Sequence, residues 1–418
     1  MDLRAIVQSK ARAARDAAGT LALCPTKVKN EALLQMARGL EEKASALLDA
    51  NRADLERARA AGVSRAFLDR LTLTDARLEE MASGVRQVAA LPDPVGATVE
   101  TWRRPNGIEI SRVRVPLGLI GFIYESRPNV TADAAALCVK SGNAVLLRGG
   151  SEAIESNTMI AAVLAKALEK AGGPGDAIQC IDTTDREAVS VMLELDDLID
   201  LIVPRGGEEF VRWVAQHARM PVLKHDKGVV HVFVDAAADP AMATAIVMNA
   251  KVQRPSVCNA LETLLVHADI AEPWLPAVAR RLLDAHVELR GCPRACALVP
   301  GARPATEADW DTEYLDLVLA IRVVDDLDAA IAHIRRHGSG LAEAIVTQHL
   351  PSARRFAREV DAAAVLVNAS TRLVDGNQFG MGAEMGISTS RTHARGPVGV
   401  QELTTTKFVV HGDGQLRD

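Results

Sequence analysis

The sequence predicts an α/β protein in which parallel strands alternate with covering helices, and three observations lead there. From residue 117 onward, short apolar runs of strand length alternate with amphipathic stretches of helix length, the pattern of repeated βα units around a buried parallel sheet. Aromatic residues make up only 3% of the chain while 48% is hydrophobic. Ala, Leu and Val must therefore build the core, which suits helices layered on a sheet better than an aromatic-rich β-sandwich. Two Gly-Gly turns, at 149–150 and 206–207, lead into helical stretches, a geometry that exposes backbone N–H groups to a phosphate.

The elements follow in order. Residues 3–90 read as helices, with an apolar periodicity over 27–59 through Leu33, Leu34, Met36, Leu40, Leu47 and Leu48. Asp75 starts another amphipathic helix, which LPDPV at 91–95 ends. Residues 99–103 and 108–115 alternate apolar and polar positions around RPNG at 104–107, whose Asn-Gly is a strong hairpin signal. A two-stranded ribbon is marginal alone, so this one is expected to join a sheet of another domain or subunit. Strands follow at 117–124, 144–148, 177–181, 198–203 and 221–224, with helices at 130–141, 151–172, 185–195 and 207–218.

Ligands of such sheets bind beyond the carboxyl ends of the strands. The loops there are 125–129 (ESRPN), 148–152 (RGGSE), 182–185 (DTTD) and 204–207 (PRGG). They make Arg148, Gly149, Gly150, Ser151, Pro204, Arg205, Gly206 and Gly207 the candidate cofactor-binding residues. The G-x-G-x-x-G fingerprint is absent, so the turns alone are a weak signal. Where an acid would meet a ribose 2′-hydroxyl, Arg148 stands instead, suited to a 2′-phosphate and hence to NADP(H).

Residues 249–267, NAKVQRPSVCNALETLLVH, carry the second candidate site. Asp239 and Pro240 form a good helix start, and the helix over 240–251 should end before Pro255. Residues 262–267 read as a buried strand. Cys258 lies in the irregular connection between them, where reactive side chains are often positioned. Lone cysteines are by default small buried hydrophobes, but Gln253, Arg254, Ser256 and Asn259 make this one's surroundings polar. Arg254 and Lys251 supply positive charge, which lowers a thiol pKa from its usual value of about 8.5.

Later stretches predict helices at 269–285 and 326–337 and strands near 342–347 and 364–367. Residues 368–399 form a long Gly- and hydroxyl-rich run with little periodicity, and a loop of that length in a compact domain is usually functional. Residues 402–410 read as a last strand, a mate for the ribbon.

Composition excludes several classes. A chain of 418 residues is expected to divide into two or three domains. A net charge of −6 argues against nucleic-acid binding as the main activity. No stretch has the length of apolar residues that a membrane span needs, and the charged, helical N-terminus lacks the apolar core of a signal peptide. The six cysteines are scattered rather than framed, which points to free thiols in a reducing cytoplasm. The single close pair, Cys292 and Cys296, has no second pair or His cluster to complete a zinc site, so no metal is expected.

Three strings carry a resemblance to a known family: VPLGLIGFIYESRPNVTADAAALCVKSGNAVLLRGG at 115–150, the Cys258 stretch, and VNASTRLVDGNQFGMGAEMGISTSRTHARGPVGVQELTT at 367–405. The chain resembles, over essentially its whole length, the γ-glutamyl phosphate reductases, the glutamate-5-semialdehyde dehydrogenases of proline biosynthesis, within the aldehyde dehydrogenase superfamily. That resemblance implies an aldehyde dehydrogenase-like fold with three parts. A Rossmann-type NADP(H)-binding domain would take 1–98 and 116–227, and an α/β catalytic domain 228–396. A β-ribbon oligomerisation element would take 99–115 and 397–418. It implies NADPH-dependent reduction of L-glutamyl 5-phosphate to glutamate 5-semialdehyde and phosphate in a cytoplasmic homo-oligomer, dimer or tetramer. Transient contact with an upstream glutamate 5-kinase is plausible on the lability of the acyl phosphate; no kinase domain is attached.

Position by position, Cys258 matches the family's nucleophile, and Asn129 resembles the superfamily's oxyanion-stabilising asparagine, although its spacing to 141–143 (SGN) differs. Hydrolytic members carry a water-activating glutamate before the cysteine; the corresponding 223–228 (LKHDKG) has none, as a reductase of an activated acyl group requires. Arg127, Lys224, Arg254, Arg372 and Arg395 are candidates for the substrate's phosphate and carboxylate, and Glu125, Asp375 or Glu384 for its ammonium. Two rivals remain: an enzyme of the same type that oxidises a free aldehyde, and a catalytically inert member serving as a scaffold.

Overall fold

The computed structural model describes residues 2–125, 127–224 and 227–417, apart from the side chain of Ala66. Ser126 of the expected strand-end loop, and His225 and Asp226 of the segment before the cysteine, lie outside the described residues. By its internal contacts the chain forms two units, one of residues 1–224, 380–386 and 398–418, the other of 225–379 and 387–397. Residues 380–386 thus group with the first unit, whereas the sequence reading placed them within 228–396.

The first unit opens with five helices: α1 (Leu3–Ala22), α2 (Thr26–Glu42), α3 (Ala44–Ala60), α4 (Arg65–Leu71) and α5 (Asp75–Ala90). The periodicity over 27–59 is two helices rather than one, broken at Lys43. Leu33, Met36 and Leu40 on one face of α2 are fully buried, the amphipathic stripe the sequence shows. The ribbon forms as expected. Strands β1 (Thr98–Arg103) and β2 (Glu109–Pro116) pair antiparallel around a turn in which Gly107 N–H donates to Arg104 O at 2.9 Å. Gly107 adopts φ 91°, the left-handed conformation that such a turn requires of glycine. The strand Thr404–His411 adds to β2 antiparallel, giving three strands.

Next come β3 (Leu119–Tyr124), α6 (Asn129–Lys140), β4 (Ala144–Gly149), α7 (Ile154–Lys170), β5 (Ile178–Cys180), α8 (Glu187–Glu194), β6 (Leu201–Arg205) and α9 (Glu208–His217). Their four strands are parallel in the order β5-β4-β3-β6. The order reverses beside β3, which makes the carboxyl ends of β3 and β6 a topological switch point. The fifth strand expected at 221–224 is reduced to one bridge, Ile202 to Val222. Pro221 has no N–H to extend the ladder.

The second unit is a seven-stranded sheet, all of whose described pairings are parallel. In chain order its elements are β7 (His231–Val234), α10 (Pro240–Val252), β8 (Thr263–His267), α11 (Ala268–Asp284), β9 (Glu288–Gly291), α12 (Pro293–Leu298) and β10 (Arg303–Pro304). There follow β11 (Val318–Val324), α13 (Leu327–His337), β12 (Ala342–Val346), α14 (Leu350–Glu359) and β13 (Ala364–Val367). Spatially they run β10-β9-β11-β8-β7-β12-β13. Successive residues of a strand face opposite sides. Val232, Val234, Leu264 and Val266 pack with α10 and α11 on one face, while Phe233, Leu265 and Ile345 pack with α13 and α14 on the other. Strands β7, β9, β10 and β11 were not expected. Strands β7, β9 and β10 are only two to four residues long, and β11, buried at most of its positions, shows no alternation to read.

The candidate cofactor and catalytic sites

At the switch point of the first unit lies a cavity of about 870 Å³. Ile123, Tyr124 and Glu125 border it from the end of β3, and Arg148, Gly150, Ser151 and Glu152 from the end of β4. Phe210 and Trp213, one turn apart on α9, close another side, and Arg186 and Glu187 stand at the start of α8. Tyr124 anchors this wall. Its hydroxyl lies 2.6 Å from Thr131 Oγ1, which donates in turn to Asn157 Oδ1 at 3.0 Å, and burial raises the phenol's pKa.

Arg148 does line the cavity, but it is almost wholly buried. Its Nη1 and Nη2 donate to the carbonyls of Gly149 and Asp185, while Nε has no partner. Burial lowers its pKa, and the neighbouring Arg186 lowers it further. A buried guanidinium with an orphaned N–H fits an anion arriving from the cavity, and Arg186 adds a second, more exposed cation that the sequence reading missed. An acid is also present. Glu152, four residues past Arg148, borders the same cavity.

The two Gly-Gly turns act differently from the simple phosphate cradle expected. A Cβ on Gly149 would lie 2.0 Å from Asn157 Nδ2, and one on Gly206 would lie 2.8 Å from the Glu125 carboxyl carbon and 2.9 Å from Phe210. Those two glycines make room for protein, and so does Gly150, where a Cβ would lie 2.2 Å from Glu152 Oε1. Gly150 and Ser151 border the cavity, while Gly207 caps α9 with open space about it. Pro204 and Arg205 are the last residues of β6, in register with Ile123 and Tyr124.

Asn129 is the first residue of α6 and is exposed. Its Nδ2 donates to Asp133 Oδ2 at 3.2 Å. Burial pushes the Asp133 carboxyl up to about 6, against the Asn129 hydrogen bond and Arg205. Arg127 and Lys224 also belong to this unit; Arg127 is exposed and Lys224 half-buried.

In the second unit, α10 starts as the sequence indicates, with Asp239 accepting from Met242 N–H at 2.7 Å and Pro240 in the first turn. Cys258 follows in an irregular, half-buried stretch before β8. Its backbone is clamped from the other side: a Cβ on Gly228 would lie 2.2 Å from the Cys258 carbonyl oxygen. Only glycine fits there, and the motif reading passed over it. Asn259, next to the cysteine, donates to Val374 O at 2.8 Å. Arg372 donates through Nε to Gln253 Oε1 at 2.9 Å and through Nη1 to Asn259 Oδ1. Burial lowers the pKa of Arg372, Arg254 lowers it further, and Asp375 and Cys258 oppose them. Arg254, Asp375 and the Cys258 thiol are therefore all electrostatic neighbours of Arg372.

Lys251 is not one of them. It is fully buried in an ion pair with Glu262 at 2.8 Å. The charge expected beside the thiol is committed to a carboxylate, and Arg372 takes the place assigned to it. No disulfide joins any of the six cysteines, all of which are described residues.

A dinucleotide-sized cavity at the switch point of one parallel sheet, and a clamped cysteine before the next, are matched from outside. The aldehyde dehydrogenase family model covers residues 4–290. The chain belongs to the aldehyde dehydrogenase family. Relatives named gamma-glutamyl phosphate reductase include one from Moorella thermoacetica, 55% identical over 417 residues and covering 100% of both chains. Another, from Geobacter metallireducens, is 55% identical over 98% of both chains. The crystal structure of gamma-glutamyl phosphate reductase from Thermotoga maritima superposes with a TM-score of 0.97 at 47% identity, covering 99% of this chain and 100% of that one. The resemblance read from the three motifs and the expected aldehyde dehydrogenase-like α/β fold both hold. A nicotinamide dinucleotide is the cofactor of the family, and no described helix is long and apolar enough to cross a membrane.

Proposed function

We propose that the chain reduces L-glutamyl 5-phosphate to L-glutamate 5-semialdehyde and phosphate with NADPH, through a thioester on Cys258. The observation that carries this reading is Cys258 clamped by Gly228, with Arg372 hydrogen-bonded to Asn259, the next residue along the chain. That is an arrangement for a thiolate meeting an anionic substrate, and relatives of more than half identical sequence are named for this reductase.

Nucleophilic attack by the Cys258 thiolate on the acyl carbon forms the C–S bond, and the C–O bond to phosphate breaks with the electron pair leaving on phosphate. Reduction of the thioester carbon needs a hydride, which NADPH would supply when bound. The resulting thiohemiacetal expels the thiolate and releases the aldehyde. Negative charge develops on the substrate oxygen at both stages. The Asn129 amide and a backbone N–H near Cys258 are the donors we assign to it, each worth about 3 kcal/mol of barrier. Arg372 and Arg254 receive anionic groups of the substrate, with Arg127 and Lys224 as further candidates. The buried Arg148 Nε, together with Arg186, would hold the 2′-phosphate of NADPH, and Ser151 and Gly207 would leave backbone open to the pyrophosphate, whereas the Glu152 carboxylate lies over Gly150.

The three-stranded sheet of 98–116 and 404–411 exposes Trp102, Phe408 and Val410, an apolar face suited to a second copy of the chain by strand addition. The test of the activity is a steady-state assay in the oxidative direction with glutamate 5-semialdehyde. Reduction of NADP that requires inorganic phosphate supports the reading. Phosphate-independent oxidation to the free acid, or a preference for NAD, overturns its substrate or its cofactor respectively.

A further inference from the structure

The second unit contains a buried carboxylate that the proposed chemistry does not use. His231 on β7 and Glu343 on β12 are both fully buried on adjacent strands. The His231 backbone N–H donates to Glu343 Oε2 at 3.0 Å, and the imidazole Nδ1 lies 2.9 Å from the same oxygen. The other oxygen, Oε1, has no partner. Leaving a buried acceptor unmatched costs on the order of 1–3 kcal/mol, more for a charged group. Oε1 faces Gly338, where a Cβ would stand 2.8 Å from it.

Gly338, Gly340 and Glu343 line a cavity of about 290 Å³, at the small end of ligand pockets, which span about 300–1,000 Å³. Its other wall is cationic. Arg335 lies on α13 and pairs with no carboxylate among the described residues, while Arg391 and Arg395 both donate to Asp361. The remaining lining acid, Glu359, is held by Arg355 and Arg358. Neither Cys258 nor any residue found beside it contributes to the lining.

We propose that this cavity binds a small zwitterion of the α-amino-acid type, with its ammonium on Glu343 Oε1 and its carboxylate on Arg335 and Arg391. A simple anion would leave the buried carboxylate oxygen unmatched, and a simple cation would face three guanidinium groups. A molecule carrying both charges a few bonds apart meets both walls.

The test is calorimetric titration of the full-length protein with L-alanine, and in parallel with acetate and methylamine. Saturable binding of L-alanine is expected, with acetate and methylamine at least about tenfold weaker. Glu343→Gln keeps the shape but turns the acceptor at Oε1 into a donor, and it should weaken L-alanine at least about tenfold. Arg391→Gln, at an exposed position that leaves the buried pair intact, should do the same with an unchanged unfolding midpoint. The proposal is overturned if no saturable heat appears, if acetate binds as tightly as L-alanine, or if Arg391→Gln binds like the parent.

Discussion

The two parallel sheets use the same strand–helix alternation to opposite ends. In the first unit the site opens past the carboxyl ends of β3 and β4, where the chain leaves the sheet and a cavity of about 870 Å³ remains. In the second, Cys258 comes before β8, on the approach to the sheet, and is gripped between the backbone at Gly228 and the Arg372–Asn259–Gln253 hydrogen bonds. The first arrangement leaves space for a cofactor that comes and goes. The second fixes the backbone beside the thiol by close contact, as the proposed nucleophile would need through bond making and bond breaking. The difference is between a site defined by what is absent and one defined by close contact.

That contrast is open to attack by mutation. Cys258→Ala should lower reductase turnover on the order of 10⁴-fold or more with the fold retained; a variant that keeps a substantial rate would remove the thioester from the mechanism. Lys251→Met should destabilise the second unit by about 3–5 kcal/mol, since it strands Glu262 as an unpaired buried charge. Burial pushes the Glu262 carboxyl up to about 7 even with Lys251 present, above its unfolded value of about 4.3. Its ionisation therefore costs stability as pH rises from about 4 through 7. Denaturant titrations of Lys251→Met should show a smaller loss at pH 5 than at pH 8, and equal losses would contradict the assignment.

Gly228→Ala drives a methyl group into the Cys258 carbonyl. A displacement of the nucleophile of about 1 Å should cut turnover on the order of 10²-fold, while fluorescence titration of NADPH stays near the parental affinity. Loss of both together would mean that the two sites are not held independently. The smallest effect belongs to the open site. Arg148→Gln should reduce the preference for NADPH over NADH by about tenfold, about 1.4 kcal/mol, read as the ratio of kcat/KM values. An unchanged ratio would hand the 2′-phosphate to Arg186 alone.

Legibility in the sequence followed the same division. The strands and helices of the first unit stand out because apolar runs, Gly-Gly turns and amphipathic helices are local signals, and all but the 221–224 strand formed. In the second unit, β7, β9, β10 and β11 escaped notice, because HVFV and ELRG are too short to show a period and VLAIRVV is almost continuously apolar. Cys258 was legible from its polar neighbours and its family motif. Its real electrostatic partner was not: Lys251 is seven residues away in sequence yet turns into the core, whereas Arg372 arrives from more than a hundred residues downstream. Glu152 and Arg186 were hidden in the same way, being ordinary charged residues until the sheet brings their loops to one cavity.

By itself the sequence determined the α/β class and the family, and it singled out Cys258 and the two Gly-Gly turns as candidates, since each depends on residue type at short spacing. Tertiary structure alone decided which charges meet. It buried Lys251 against Glu262, set Arg372 near the thiol, placed glycine rather than any larger residue behind the Cys258 carbonyl, and left one oxygen of Glu343 without a partner. Those pairings are set by how the sheets pack in three dimensions, and no spacing along the chain encodes them.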